Sequence, residues 1–329
     1  MAKNPHFISQ MAHVELLSTN LEETVKFYDE VVGLDITARD ENSVYLRAWG
    51  DYFLYTLKIT QSDKKGLGLI GWRADSLEAL EECVEHLENL GVGLGWVEAD
   101  KGRGKAYQFQ SPDGHKHEIF WDVTWLRESG ERASIYVDRY SSNRRRGANP
   151  RRLDHFTYLV AIGIYAKEKA FWKSMGLKNP DEVRFDDEKP PIGGLFTSGN
   201  LSHDIAIFSD PNIQPGEALG NHICFNVDSR EEVLLALDWF NEKGYTSYWG
   251  APTRHKADEG FFFYIMEPHT GILLEYYACA RLIFAPDHGP DIHYLKDNPN
   301  DAWGQTNPFK VAADSGAAGG IKPVDIPGK

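Results

Sequence analysis

Cysteine is scarce in this chain of 329 residues, which contains only Cys83, Cys224 and Cys279. The three are odd in number and far apart in the sequence. They therefore do not provide the framework of paired cysteines that stabilises small secreted domains. We interpret them as reduced thiols in a cytoplasmic protein, whose length is ample for two domains with hydrophobic cores of their own.

Long apolar runs and excess positive charge are also lacking. No stretch approaches the roughly 18 apolar residues of a membrane-spanning helix, and the first residues have no apolar signal core. Lys and Arg number 35 against 49 Asp and Glu, a formal net charge of -14, which argues against nucleic acid or a membrane surface as a partner. The one basic cluster, Arg144 to Arg146 with Arg151 and Arg152, is interpreted as an exposed linker or a contact between subunits.

Two segments of the chain repeat the same helical pattern. One begins at Asp75 and ends at Gly91, and the other begins at Asp228 and ends at Gly244. In each, a Glu follows the Asp by three residues and an apolar strand precedes it. This is the pattern of a helix with an Asp N-cap and a Gly stop. Internal duplication is therefore predicted.

The opening and closing strands of the two halves correspond as well. His13 and His155 lie in the opening strands, and Glu118 and Glu275 lie in the closing strands. The sequence predicts an α+β protein made of four strand–helix–strands units, at about residues 7–60, 66–122, 152–209 and 219–279.

These units are expected to pair into two domains, residues 1–122 and 152–279, joined by a linker at 123–151. The tail, residues 280–329, is expected to cover part of the second domain. Its end is rich in Gly and Ala and is predicted to be disordered.

Three residues of the second half are candidate metal ligands. His155, His222 and Glu275 each lie in a short apolar run that is typical of a strand. Alternate side chains of a strand share one face, so the three can converge on one interior. Two imidazoles and one carboxylate on one side of a metal leave positions open, as in non-haem Fe(II) enzymes.

The first half retains only part of this set. It has His13 and Glu118, but the repeat places Leu69 where the second half has His222. We therefore predict that the N-terminal domain binds no metal.

The chain resembles the type I extradiol ring-cleavage dioxygenases, the catechol 2,3-dioxygenase group of the vicinal oxygen chelate superfamily. The likeness covers about residues 7–305 and is most specific in one signature, which consists of Thr253-Arg254-His255, Phe263-Tyr264, Glu267-Pro268, Gly271 and Glu275. Two residues, His269 and Thr270, stand between the Pro and the Gly, where the family usually has one. The resemblance implies the vicinal oxygen chelate fold, in which two βαβββ modules form each open β-barrel.

The resemblance also implies the reaction. In it, His155, His222 and Glu275 are the ligands of Fe(II), with Mn(II) possible, and no organic cofactor is expected. The enzyme would cleave a catechol-type ring with dioxygen beside the diol, in aromatic compound degradation. Both oxygen atoms would enter a muconic semialdehyde-type product. A homo-oligomer, a dimer or a tetramer, is implied too.

Three further residues take catalytic roles by the same likeness. His203 matches the acid/base on the dioxygen side of the metal, Tyr264 the hydrogen-bond partner of the bound substrate oxygen, and His255 the residue that supports this network.

Three more residues are expected to line the substrate pocket. Thr157 follows His155 by two residues and shares its strand face. Tyr248 and Trp249 precede the signature, and this aromatic pair would suit an apolar ring substituent.

Two other functions fit the same fold. A glyoxalase-like metalloisomerase would need a second catalytic Glu and would leave His255 and Tyr264 without a role. A non-enzymatic ligand-binding protein of the same superfamily would need no metal ligands.

Overall fold

The structure is a computed structural model that describes residues 5–127, 129–130, 133, 135, 146–217, 219–285 and 287–303. The end of the tail after residue 312, which is predicted to be disordered, lies outside the described residues. Arg144 and Arg145 of the basic cluster also lie outside them. No helix of the described chain is long and apolar enough to cross a membrane.

The N-terminal half forms one eight-stranded sheet with strand order β2-β3-β4-β1-β5-β8-β7-β6. Its strands are β1 (Ile8–Ser18), β2 (Asp35–Arg39), β3 (Ser43–Arg47), β4 (Leu57–Gln61), β5 (Gly66–Ala74), β6 (Gly93–Val97), β7 (Ala106–Gln110) and β8 (Lys116–Phe120). Its helices are α1 (Leu21–Lys26), which continues as a π-helical segment Phe27–Val32, and α2 (Leu77–Asn89).

The C-terminal half forms a nine-stranded sheet with strand order β14-β15-β16-β13-β9-β12-β11-β10-β17. Its strands are β9 (Arg152–Ala161), β10 (Lys178–Arg184), β11 (Gly193–Thr197), β12 (Ile205–Asp210), β13 (Leu219–Asn226), β14 (Thr253–Arg254), β15 (Phe261–Met266), β16 (Leu273–Ala278) and β17 (Asp291–Tyr294). Its helices are α3 (Tyr165–Ser174) and α4 (Arg230–Glu242), and a 3-10 turn covers Leu295–Asp297. The predicted α+β class with four βαβββ modules is confirmed.

Strand β17 is an element that the sequence pattern did not predict. It comes from the tail and pairs in parallel with β10. Its four residues alternate too briefly between polar and apolar to indicate a strand. The tail therefore extends the sheet of the second half.

The predicted N-caps were wrong by one residue. Ser76 and Ser229 cap α2 and α4, because their hydroxyls accept hydrogen bonds from the backbone N–H groups three residues on. The N–H of Asp75 instead donates to the carbonyl of Phe7, which keeps Asp75 in the extended chain. The predicted stops hold, since Gly91 and Gly244 have φ values of 70° and 87°, a conformation that glycine adopts without strain.

A buried carboxylate joins the two halves. Glu168 of α3 is fully buried and accepts a hydrogen bond from the backbone N–H of Asp113 in the first half, at 2.9 Å. The Tyr158 hydroxyl and the Trp172 indole each donate to its other oxygen at 3.0 Å. Apolar packing continues across this contact, where the rings of Trp72 and Trp172 lie 5.1 Å apart.

Arginines of the basic cluster make ion pairs within the chain. Arg146 pairs with Asp35 at 2.8 Å in the first half, and Arg151 pairs with Asp228 in the second half. This part of the predicted linker therefore makes polar contacts with both halves.

Candidate metal centre and substrate pocket

Three buried donor groups meet at the centre of the second sheet. His155 lies on β9, His222 on the adjacent β13, and Glu275 on β16, which pairs with β13. Oε2 of Glu275 lies 2.9 Å from Nε2 of His155 and 3.1 Å from Nε2 of His222, and the two Nε2 atoms are 3.3 Å apart. The structure thus brings the three predicted ligands together, and none is more than 6% exposed.

The geometry of these donors fits one metal ion. Separations of about 3 Å are those of neighbouring ligands on an ion with bonds of roughly 2.1 Å. The opposite ring nitrogens are already engaged, because Nδ1 of His155 is 3.0 Å from a carboxylate oxygen of Asp154 and Nδ1 of His222 is 2.7 Å from Oδ1 of Asn221. Such contacts place the proton on Nδ1 and leave the Nε2 lone pair directed at the metal position.

The electrostatics of the triad agree with this. Burial alone would raise the pKa of Glu275, but His222 and hydrogen bonds from His155 lower that pKa well below its ordinary value. Burial lowers the pKa of His222. Burial would also lower the pKa of His155, but hydrogen bonds to Asp154 and Glu275 raise it to about 9. A metal bound at Nε2 of His155 therefore displaces a proton there.

His203 lies beside the triad, just before β12. Its ring centroid is 3.8 Å from that of His155. Nδ1 of His203 is 2.9 Å from the hydroxyl of Ser202, which is 3.2 Å from the hydroxyl of Tyr277. Burial, and then the nearby His155, lower the pKa of His203 well below its ordinary value, so the imidazole is neutral at pH 7.

Tyr264 and His255 flank Glu275 on its other side. Tyr264 on β15 pairs directly with Glu275, and its ring lies 5.1 Å from that of His222. Nε2 of His255 is 3.4 Å from Oε1 of Glu275, and its ring stacks on Phe262 at 3.7 Å. Burial and the charge of Glu275 raise the pKa of Tyr264, which keeps its phenol protonated.

The tail reaches the site at His255. Nδ1 of His255 can donate to the carbonyl oxygen of Asn300, 3.1 Å away. The Thr253 hydroxyl donates to buried Asp301 at 2.5 Å, and the ring of Trp303 lies 5.4 Å from Phe261. Residues 300–303 therefore fix the ring that faces Glu275.

One pocket opens onto this group of side chains. Thr157, Tyr248 and Trp249 all line it, together with the three predicted ligands and His203, His255 and Tyr264. The hydroxyl of Thr157 is buried and has no hydrogen-bond partner among the described residues, so it is available to a ligand. Trp249 packs on Tyr264 with the ring centroids 4.4 Å apart.

The far wall of the pocket was not foreseen from the sequence. It includes Asp181 on β10, Leu195 on β11 and Ala206 on β12. Asp181 also accepts from Arg281 and His293 of the tail. No local pattern indicated these residues, because the contacts join parts of the chain that are about a hundred residues apart.

The first half has a corresponding but differently filled position. The strand register places Leu69 opposite Glu15, as it places His222 opposite Thr157. Nε2 of His13 is 3.3 Å from Oε1 of Glu118, and the guanidinium of Arg103 also lies against that carboxylate.

Comparisons with known proteins give a consistent result. The model of the Glyoxalase/Bleomycin resistance protein/Dioxygenase superfamily matches residues 10–119 and 152–276. A metapyrocatechase of Geobacillus stearothermophilus is 36% identical over 315 residues, which cover 92% of this chain and 93% of that protein. A manganese-dependent 2,3-dihydroxybiphenyl 1,2-dioxygenase of Geobacillus genomosp. 3 is 32% identical, covering 86% of this chain and 89% of that one.

A solved structure shares the fold. The crystal structure of the 2,3-dioxygenase LapB from Pseudomonas sp. KL28 superposes with a TM-score of 0.79 at 25% identity, covering 89% of this chain and 99% of that chain.

Proposed function

The chain belongs to the Glyoxalase/Bleomycin resistance protein/Dioxygenase superfamily and, within it, to the extradiol ring-cleavage dioxygenases; from this premise we propose that His155, His222 and Glu275 hold the metal at which it works. The reaction is meta cleavage of a catechol-type ring by dioxygen, with both oxygen atoms retained in a semialdehyde acid. The convergence of three donor atoms within 3.3 Å of one another, at the wall of a pocket, is the observation that carries the assignment.

When bound, a divalent metal supplies a charge that lowers the pKa of the catechol hydroxyls and a place where catechol and dioxygen meet. His155, His222 and Glu275 occupy one side of that place. The opposite side faces the pocket, from which both reactants enter.

We assign His203 the proton transfers on the dioxygen side. Its neutral ring can accept a proton through one nitrogen and return it later, as a positioned acid/base does. The contact between Nδ1 and the Ser202 hydroxyl supports this role. It fixes the orientation of the ring and leaves Nε2 as the nitrogen that exchanges the proton.

We assign Tyr264 and His255 to the substrate oxygen. Tyr264 keeps its proton, since burial and Glu275 raise its pKa, and it can donate a hydrogen bond to an ionised catechol oxygen. His255 lies between the tail and Glu275 and would hold this arrangement in place. Thr157 offers its unpartnered hydroxyl to the same pocket.

We propose Fe(II) as the metal. A set of two imidazoles and one carboxylate suits Fe(II), and Mn(II) also accepts it. One relative is named manganese-dependent, and elemental analysis of the purified protein distinguishes the two ions. We also propose a cytoplasmic location, from the three scattered cysteines, and a homo-oligomer, either a dimer or a tetramer, from the family resemblance. Sedimentation velocity would test the assembly.

The test combines metal content with one assay. Protein made metal-free with a chelator and reloaded anaerobically with Fe(II), Mn(II) or Zn(II) would be mixed with catechol in an oxygen electrode. Uptake of one dioxygen per catechol, together with a yellow ring-fission product, is expected with Fe(II).

Other outcomes would point to the two other functions. A metal-loaded protein that consumes no oxygen but isomerises a thiol adduct would be a glyoxalase-like enzyme. That reading has little support in the site, because Glu275 is the one Glu among the described residues that line the pocket. A protein that binds no metal and still binds an aromatic ligand would be a binding protein.

A further inference from the structure

The pocket has a continuous wall that runs well beyond the metal position. Across neighbouring strands, His222 pairs with Thr157, Thr157 with Ala206, Ala206 with Leu195, and Leu195 with Asp181. Paired residues of adjacent strands point to the same face of a sheet, and all five of these residues line the pocket. At about 4.8 Å per strand, the row from Thr157 to Asp181 is about 14 Å long. That length exceeds what one aromatic ring occupies, so the wall has room for a ring substituent.

Asp181 ends this row with one oxygen available. The residue is 1% exposed. Its Oδ1 accepts from Nη2 of Arg281 at 2.5 Å and from Nε2 of His293 at 2.8 Å. Its Oδ2 is buried and has no hydrogen-bond partner in the part of the chain that the structure describes. A buried carboxylate oxygen without a donor is unfavourable, and such an atom beside a cavity indicates a missing partner.

The charge of the pocket decides what that partner is. Four carboxylates line it, from Asp181, Asp210, Asp258 and Glu275, and none of the described lining residues is a Lys or an Arg. The guanidinium of Arg281, which contacts Asp181, is shared between Asp181 and Asp291, at 2.5 and 2.9 Å. A ligand group at the far end therefore meets negative charge that the metal does not offset. A carboxylate there is repelled, and a cation or a hydroxyl donor is attracted.

The walls between the metal and Asp181 are apolar. They include Leu159, Val183, Leu195 and Phe208. They suit the methylene groups of a short side chain, and the polar end of that chain then lies at Asp181.

We propose that Asp181 is a specificity-determining residue of this enzyme and that it selects catechols whose side chain ends in a hydrogen-bond donor. The donor binds Oδ2, and an ammonium binds more strongly than a hydroxyl because its hydrogen bond is charge-assisted. This inference rests on the proposed ring cleavage and adds the class of substituent to it.

The test compares kcat/KM for catechols that differ only at the end of the side chain. Plain catechol and ring-substituted catechols with equal chains ending in methyl, hydroxyl, ammonium or carboxylate would be measured on Fe(II)-loaded enzyme, with substituents at ring position 3 and at position 4. The ammonium compound should exceed the methyl compound about 10- to 100-fold, as expected for a hydrogen bond to a buried charged group. The carboxylate compound should be the poorest substrate.

The variant Asp181→Asn reverses the polarity of the same position. Its side-chain oxygen can still accept from Arg281 and His293, which turns its NH2 group toward the pocket. The preference for ammonium should disappear, and the carboxylate compound should gain relative to it. Asp186→Asn is the matched control, because it removes a half-exposed carboxylate that pairs with Lys189 and leaves Arg281 with both of its partners. This control variant should rank the substrates by kcat/KM in the same order as the unaltered enzyme.

The outcomes separate the two levels of the argument. An enzyme that cleaves no catechol contradicts the proposed function. An enzyme that cleaves plain catechol but treats methyl and ammonium chains alike contradicts the role of Asp181. The same conclusion follows if Asp181→Asn keeps the original order.

Discussion

Arg103 and Glu118 form a buried two-pronged ion pair in the N-terminal half. Nε of Arg103 is 2.6 Å from Oε1 of Glu118, and Nη2 is 3.1 Å from Oε2. Both side chains are 2% exposed. Glu118 occupies the strand position that Glu275 occupies in the other half. The guanidinium therefore supplies the positive charge that a metal would supply to Glu275.

Removal of this cation should destabilise the protein strongly. Arg103→Met removes the guanidinium from the buried carboxylate of Glu118, and breaking a buried pair typically costs about 3–5 kcal/mol. The free energy of unfolding from urea titration measures the loss. Arg39→Met is the control, because Arg39 pairs with Glu22 on the surface and should cost about 1 kcal/mol or less. Similar losses in the two variants would contradict the assigned role of Arg103.

The chain should bind one metal ion, in the C-terminal half. Beside His13 and Glu118 stand Leu69, which cannot ligate, and the guanidinium of Arg103, which repels a cation. Elemental analysis should give a stoichiometry near one, and His13→Ala should leave it unchanged. A stoichiometry near two that falls to one in His13→Ala would show a second site in the first half.

Glu275→Gln should lower metal occupancy and abolish oxygen uptake with catechol. The substitution removes the only charged ligand of the triad and leaves two neutral imidazoles. Metal analysis after gel filtration and an oxygen electrode measure the two effects. Glu259→Gln, at a carboxylate that pairs with Arg254 on the surface, is the control. Full occupancy with near-normal turnover in Glu275→Gln would exclude it as a ligand.

His203→Phe should keep the metal and lose most of the rate. A positioned acid/base typically contributes about 10²- to 10⁴-fold, and the phenyl ring conserves the packing against His155. Single-turnover ring cleavage separates this loss from substrate binding. Ser202→Ala should show a smaller loss, because it leaves the imidazole in place without its Nδ1 partner. Unchanged rate constants in His203→Phe would remove this residue from the mechanism.

Glu168 should make the stability of the protein depend on pH. Burial raises its pKa from an ordinary 4.5 to about 7. Because the folded pKa is the higher one, the folded state favours the protonated carboxyl. The stability that the protonated Glu168 contributes to the folded state is fully present below about pH 4.5 and is lost as the pH rises through about 7.

Glu168→Gln should remove that dependence while keeping a side chain of similar shape. The difference in unfolding free energy between the two proteins should change by at most about 3 kcal/mol between pH 5 and 8. Urea titrations across that range supply the measurement, and taking the difference cancels the other titrating groups. If the unfolding free energies of the two proteins changed in parallel with pH, the pKa of Glu168 would be the same in the folded and the unfolded state.

The sequence alone determined the local elements and the strands on which the three proposed ligands lie. His155, His222 and Glu275 each stand in an apolar run flanked by turn residues, and the duplication aligns those runs between the halves. Periodicity and repetition are properties of neighbouring residues, so they can be read without a structure. The alignment that placed Leu69 opposite His222 in the repeat is also the one that the strand register shows.

The tertiary structure alone decided what fills each barrel. Asp181 meets Arg281 and His293, which are 100 and 112 residues away in the sequence. Arg103 meets Glu118 only because a loop turns inward at that point. Such contacts depend on strand register and on the paths of loops, which leave no period in the sequence. The three residues of the proposed metal centre could therefore be predicted from the chain, while the far wall of the pocket and the cation of the first half appeared only when the strands were paired.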